Sequence, residues 1–319
     1  MGFRDAARLN PSSAPNARRG FFYALAAFSA WGVFPIYFKA LSAVAAPEIL
    51  AHRVVWSAVF LAALVTVQRR WREFGRAFQS LRGVAVYALS TALITINWLL
   101  YIWAVVTGHI LDASLGYFMN PLVNVLLGAL FLRERLRTRQ LMAVGLAALG
   151  VVLLVVRVGR LPWLALALAF SFGGYGLVRK KAAIDPVVGL LVETSLIAPL
   201  AAGLIGLRAW QGTGGLGRDP STTILLLLAG VMTAVPLIWF AHGVRNLRLA
   251  TMGLIQFLTP TLQFVFAVAM FHEPFTSGHA IAFSCIWASL IVYTSEAFFG
   301  AGKSGDVGGN PGRAPTGSR

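Results

Sequence analysis

Cysteine and charge are what this 319-residue chain has least of. Its one cysteine, Cys285, excludes an intrachain disulfide and any Cys-based metal cage, and reads as a packed bystander. Charged residues make up 12% of the chain, about half the ~25% usual for a soluble domain. Acids are scarcest, 11 Asp and Glu against 27 Lys and Arg. No Walker A string, H-E-x-x-H or G-x-S-x-G occurs, so ATP-driven pumping and zinc or serine hydrolysis lack support. Gly212, Gly214 and Gly217 do satisfy G-x-G-x-x-G. That fingerprint holds a dinucleotide only where a strand feeds a helix, and this one lies in a Gly-rich loop between apolar segments. No cofactor and no catalytic residues are expected.

What the chain has is apolar residues, 58% of it. Ten stretches are long and apolar enough to cross a bilayer: 20–41, 47–68, 84–106, 110–132, 139–156, 162–178, 186–207, 222–243, 249–272 and 278–299. Nothing between them is long enough to fold as a soluble domain, so function must be exercised within or across a membrane. The net charge of +16 raises nucleic acid as a partner, but that needs a basic face on a soluble fold. Here the charge follows topology. With the N-terminus in the cytoplasm, 21 of the 27 Lys and Arg fall on that side, clustered in the N-terminal arm, 69–82, 133–139, 179–181, 245–248 and the tail. Arg157, Arg160, Arg208 and Arg218 fall opposite. The positive-inside rule then places both termini in the cytoplasm and excludes nucleic acid. The first apolar stretch is too long for a signal h-region and has no A-x-A-like cleavage pattern, so it is read as a retained span. Residues 1–19 and 300–319, rich in Gly, Pro, Ser and Arg, read as disordered cytoplasmic arms.

The chain also repeats itself. Pro121 precedes Glu134 by 13 residues, as Pro260 precedes Glu273, and an amide (Asn124, Gln263) stands three after each proline. Ala27, Phe28 and Ser29 precede Gly32 and Lys39 at the spacing with which Ala169, Phe170 and Ser171 precede Gly174 and Lys181. Two five-span halves follow, 20–157 and 162–299. Five is odd, so the second half lies inverted relative to the first, as in many secondary transporters. The expected fold class is an all-α membrane protein of ten helices in two inverted repeats.

The strings WGVFPIYFK at 31–39, EILAHRVVWS at 48–57, NWLLYIWAVVTGHILDASLGYFMNPLVNVLLG at 97–128, GYGLVRK at 174–180 and ETSLIAP at 193–199 resemble the RarD proteins of the EamA group, in the drug/metabolite transporter superfamily. The resemblance covers about residues 20–299 of the chain. It implies two EamA repeats, a bacterial inner membrane and export of small molecules. Val106 and Asp112 depart from it, standing where Asn and Glu are expected.

Ionisable residues within a span are costly, by about 2.5–3.5 kcal/mol on insertion scales, and mark function by default. Glu48, His52 and Trp56 form one stripe of the second span, with Arg53 one residue off it. Glu48 is placed to pair with Lys39 across the short outer turn, or to line a substrate path. Glu193 is the other deep charge, either the partner of Arg53 across the pseudo-twofold or a titrating group beside an anion site at Arg53. Asn120 and Asn124 share a face of the fourth span with Tyr117 and Pro121 nearby; Pro121 frees the Tyr117 carbonyl, as Pro260 frees that of Gln256, near Gln263. Pro35, Pro199 and Pro236 are expected to add breaks in three more spans. These amides either line a path or join helices. Trp31 and Tyr175, deep in paired spans, suit stacking on a planar substrate. Tyr37, Asn97 and Tyr101 complete the substrate-binding candidates, whereas Trp98, Trp103 and Trp239 read as interfacial belt or vestibule.

The reading is a secondary transporter, and not an enzyme, that moves a small molecule through the lipid bilayer by alternating access. Proton coupling, resting on Glu193, Glu48 and His52, and a homodimer are left open. The alternative, a membrane-embedded enzyme for lipid-linked substrates, would need acids and histidines clustered at one interface, and His272, Glu273 and His279 are the one such loop cluster. A non-transporting scaffold would leave the mid-span polar residues unexplained.

Overall fold

A computed structural model describes residues 14–132, 138–159, 161–180, 185–247 and 255–302. Its elements are α1 (Ala14–Ala40), α2 (Ala46–Val67), α3 (Trp71–Arg76), α4 (Leu81–Val106), α5 (Ile110–Leu132), α6 (Thr138–Val158), α7 (Trp163–Lys180), α8 (Pro186–Trp210), α9 (Pro220–Asn246), α10 (Leu258–Val265) and α11 (Ser277–Gly302). Among the described residues there is no strand. Among the described residues six helices are long and apolar enough to cross a membrane: those containing Arg18–Ala40, Ala46–Val67, Leu81–Val106, Ile110–Phe131, Val187–Trp210 and Pro220–Phe240. Leu141–Arg157, Trp163–Arg179, Leu258–Met270 and Ser277–Tyr293 are shorter apolar helices.

Local chemistry sets the helix starts. Ser80 Oγ accepts from the Gly83 N–H, Asp185 Oδ1 from Val187 and Asp219 Oδ1 from Thr222, capping α4, α8 and α9. Pro47, Pro186 and Pro220 occupy first-turn positions, where a missing N–H costs nothing. Pro35, Pro121, Pro199 and Pro236 instead lie inside continuous helices, so the breaks expected at three of them are not seen. The ninth span does break: residues 255–256 are helical, Phe257 turns, and α10 gives way to a π turn at Phe266–Met270. Pro260 removes the N–H that would close the turn on Gln256. Two ends also differ from expectation, since α1 begins at Ala14 and α11 runs to Gly302. The 69–82 connection holds the short α3. Glu134 lies outside the described residues.

Packing is inside-out relative to a soluble domain. Val59, Leu81, Leu130, Phe131, Val156, Leu200 and Ile291 face outward, while Arg53, Asn97, Asn120, Glu193, Thr233 and Gln263 are buried. Hydrocarbon is the solvent such a surface fits. Helix α1 packs on α9 and α10, α7 on α4 and α5, α2 on α8, and α6 on α11. Small residues permit the closest approaches. A Cβ at Gly116 would lie 2.7 Å from the Ala165 carbonyl oxygen, and one at Gly230 would overlap the Trp56 carbonyl. Substitution there would wedge α5 from α7, or α9 from α2. Thr259 donates to the Phe28 carbonyl at 2.7 Å and Ser114 to that of Pro260 at 2.8 Å, anchoring α10 to α1 and α5.

Candidate functional site: two buried charges and their partners

Helix α2 carries Glu48, His52 and Arg53 inward, all nearly fully buried. Glu48 does not pair with Lys39. Its Oε1 accepts the Gly215 N–H, pinning the 211–219 loop over the mouth of the bundle, and the Lys39 ammonium lies over the Phe271 ring, 5.7 Å from its centroid. A carboxylate near a helix start faces loop N–H groups more readily than a long, mobile ammonium. His52 Nδ1 accepts from Trp56 Nε1 at 3.3 Å, one turn on, and its Nε2 is buried with no partner.

Arg53 is the centre of a larger constellation. Its Nε donates to Thr233 Oγ1 at 2.9 Å, and Thr233 in turn donates to the Ala229 carbonyl. The guanidinium lies 4.2 Å from the Trp98 ring centroid, with Phe34 and Phe38 each at 5.8 Å. Tyr37, Tyr101 and Tyr117 lie within its electrostatic reach. Tyr37 donates to the Leu225 carbonyl at 2.6 Å. Gln263 Nε2 donates to the Tyr101 hydroxyl at 3.1 Å and the Trp31 carbonyl at 3.3 Å. Tyr117 donates to Asn97 Oδ1 at 3.5 Å, and Asn97 Nδ2 to the Leu168 carbonyl and Ser171 Oγ at 3.0 and 3.1 Å. These four sets of hydrogen bonds draw on helices α1, α2, α4, α5, α7, α9 and α10, and ring contacts between Tyr37, Phe38, Tyr101 and Tyr117 join them beside Arg53. Gln263 Oε1 and, elsewhere on α5, Asn120 Oδ1 are buried without partners among the described residues.

Glu193 belongs to a second centre. Its Oε1 accepts from Ser90 at 2.7 Å and faces Arg179 Nη1 at 3.6 Å, while Oε2 accepts from Tyr175 at 3.1 Å. Of the two sequence readings of Glu193, the pairing with Arg53 is not seen, and the carboxylate meets Arg179 instead, whose guanidinium passes directly over Gly189, where a Cβ would block it.

Of the residues singled out from the sequence, Trp31, Tyr37, Arg53, Asn97, Tyr101 and Gln263 come together, and Tyr175 joins Glu193. Asn120 is buried, whereas Asn124 is exposed on α5 beside Gly173, and Gln256 is half-buried. Trp98, Thr233, Ser90 and Arg179 were not among those candidates. Register carried a signal for one of them: the hydroxyls of Thr91 and Thr233 stand 142 residues apart, the offset that also relates Ser29 to Ser171.

The loop cluster that an enzyme would need is otherwise engaged. Both Glu273 carboxylate oxygens accept the first N–H groups of α5, from Ile110 and Leu111, each at 2.8 Å, and His279 Nε2 faces Asp112 at 3.8 Å. Among the described residues no group of three His, Cys, Asp or Glu side chains is placed to hold a metal. A cavity of about 80 Å³ adjoins this cluster, between Trp103, Asp112, Trp163 and His279. Small-molecule pockets run to about 300–1,000 Å³, so this one is too small to be a substrate site.

The model of the EamA-like transporter family matches residues 18–156. Protein RarD of Salmonella typhi is 45% identical over 287 residues, 90% of this chain and 98% of that protein. An uncharacterized transporter of Bacillus subtilis, YojE, is 43% identical over 280 residues, 87% of this chain and 94% of that one. A crystal structure superposes with a TM-score of 0.57 at 19% identity, covering 87% of this chain and 98% of the other, a likeness of fold alone.

Proposed function

This chain belongs to the RarD proteins of the EamA-like transporter family, and on that premise we propose that it is a secondary transporter exporting small organic molecules across the bacterial inner membrane. It works by alternating access, with ten membrane helices in two inverted five-helix repeats and both termini in the cytoplasm. The exchange of packing partners supports the repeat: α1 meets α9 and α10 as α7 meets α4 and α5, while α2 meets α8 and α6 meets α11. Two odd-numbered halves related in this way leave a site where they meet.

The observation that carries the reading is the Arg53 network, a buried cation held by the Thr233 hydroxyl of the second half and by aromatic faces of the first, with an unpartnered acceptor at Gln263. A purely structural polar network satisfies its own groups. This one keeps donors and acceptors unspent at mid-bundle, as a site for a transient occupant would. Glu193, held by Ser90, Tyr175 and Arg179, is the group to which proton coupling is assigned. The enzyme reading has no comparable support, since Glu273 caps a helix. Purified protein in sealed vesicles should move labelled compounds down or against an imposed pH gradient, and no movement above protein-free vesicles across a broad metabolite panel overturns the assignment.

A further inference from the structure

The two buried charges are treated differently by the fold. Each is the eighth residue of its helix, Arg53 in α2 and Glu193 in α8. The Glu193 carboxylate is answered by one guanidinium and two hydroxyls. Arg53 has no such answer. A guanidinium carries five N–H donors in a planar fork, and the protein engages the one at Nε. Among the described residues no carboxylate lies within ion-pair distance of Arg53, and neither Nη group donates a hydrogen bond. Among the described residues the Nη atoms are not counted with the fully buried unpartnered ones, so the 5% of Arg53 left exposed gives water or a ligand a route to the fork.

Trp98, Phe34 and Phe38 offset part of the charge through their ring faces. Ring faces do not accept the in-plane bonds of the fork, though, and two Nη groups remain for an oxyanion with two oxygens side by side. The charge count narrows the class. Lys39, at the α1–α2 turn, sits over Phe271, and Arg18 and Arg19 are exposed at the far end of α1, so one positive charge serves the site. A monoanion neutralises it, whereas a dianion would leave a net charge in the bundle. The surroundings suit a planar body: Trp98, Tyr101 and Tyr117 supply ring surface, and the free oxygen of Gln263, whose amide is bonded to Tyr101, accepts a donor from the ligand.

We infer that Arg53 is the anion subsite of the transport path, and that the substrates are small organic monocarboxylates with a planar or aromatic body. The inference rests on the transport reading above and names its substrate class. Arg53 is assigned the carboxylate through its Nη fork, Thr233 the aim of that fork, and Gln263 the ligand's own donor.

The test uses the full chain in lipid nanodiscs, with indole-3-acetate and benzoate as probes, their neutral amides as matched controls, and inorganic phosphate. The carboxylates should raise the thermal midpoint and bind at least about tenfold more tightly than the amides, a difference of about 1.4 kcal/mol. Arg53→Gln should abolish that preference. Arg53→Lys, which keeps the charge but loses the fork, should weaken carboxylate binding about tenfold. Should Arg53→Gln fail to fold, Thr233→Val serves in its place, weakening carboxylates more than amides because the fork is no longer aimed. Amides or phosphate binding as well as the carboxylates, no carboxylate binding, or an unchanged preference in these variants overturns the inference. Arg53-dependent carboxylate binding without flux in sealed vesicles would retain the anion site and remove the transport reading. Flux of neutral compounds alone would do the reverse.

Discussion

Glu193 takes its cation from Arg179 at 3.6 Å, and Arg53 has none of the chain's carboxylates within ion-pair distance among the described residues. The two deep charges of this bundle are therefore not a pair. Their separation leaves one charge compensated and one available, which a direct ion pair would have prevented.

The first prediction concerns Glu193. Glu193→Gln keeps a side chain that can bond Ser90 and Tyr175 but removes the titration. Gradient-driven flux should fall at least about tenfold, while exchange without a gradient and membrane abundance stay within about twofold. Neutralising Arg179 instead leaves a buried carboxylate with hydroxyls alone. Removing one partner of a buried pair costs about 3–5 kcal/mol, and at 3.6 Å with Arg179 partly exposed the lower end applies. A large loss of thermal midpoint in Arg179→Gln, relieved by adding Glu193→Gln, would register that coupling. Equal loss of coupled flux and exchange in Glu193→Gln would refute the proton role.

The second separates Glu48 from Lys39. Because the Glu48 carboxylate holds the Gly215 N–H, Glu48→Ala should raise amide hydrogen exchange across 211–219. A charged hydrogen bond is worth about 1.5–3 kcal/mol, or roughly 10- to 150-fold in protection. Lys39→Ala should leave that loop unchanged. The opposite pattern would restore an outer-turn ion pair.

Third, the amides differ in weight. Gln263 joins Tyr101 to Trp31 and is buried, whereas Asn124 is exposed. Gln263→Ala should reduce flux by about tenfold at normal abundance, and Asn124→Ala should change it by less than about twofold, since interhelical amide bonds average only ~0.6 kcal/mol in bilayers. Equal effects, or loss of protein in step with flux, would assign both a folding role.

Topology gives the fourth. With Cys285 replaced, a cysteine at Gln211 should react with an impermeant thiol reagent from outside, and one at Thr138 should not. Labelling of both from one side contradicts the ten-span arrangement.

The fifth concerns acid. Hydrogen bonds from the Thr222 N–H and from the Ser221 and Thr222 side chains hold Asp219 down to about 2, from an ordinary value of 3.8. A depressed carboxylate stabilises the fold above its ordinary value and loses that contribution as pH falls toward the folded one. Between about pH 4 and 2 the wild-type thermal midpoint should therefore fall more steeply than that of Asp219→Ala. Parallel curves would show that the cap contributes nothing.

The apolar runs, the prolines at helix starts and the charged stripe of α2 are local properties, and the chain's residues determined them unaided. The repeated spacings, Pro121 to Glu134 and Pro260 to Glu273, are likewise properties of the sequence and need no knowledge of packing. Helical periodicity put Glu48, His52 and Trp56 on one stripe with Arg53 one residue off it, and the cost of charge in hydrocarbon marked Glu193 and Arg53 as exceptional. Which groups those charges meet was decided by tertiary structure alone. A helix fixes the angle between its own side chains but not its rotation against a neighbour, and that rotation is set by the packing of several helices at once. Hence Glu193 turned to Ser90, Tyr175 and Arg179, Glu48 reached a loop N–H 167 residues away, and Trp98 became the surface beneath Arg53 instead of part of an interfacial belt.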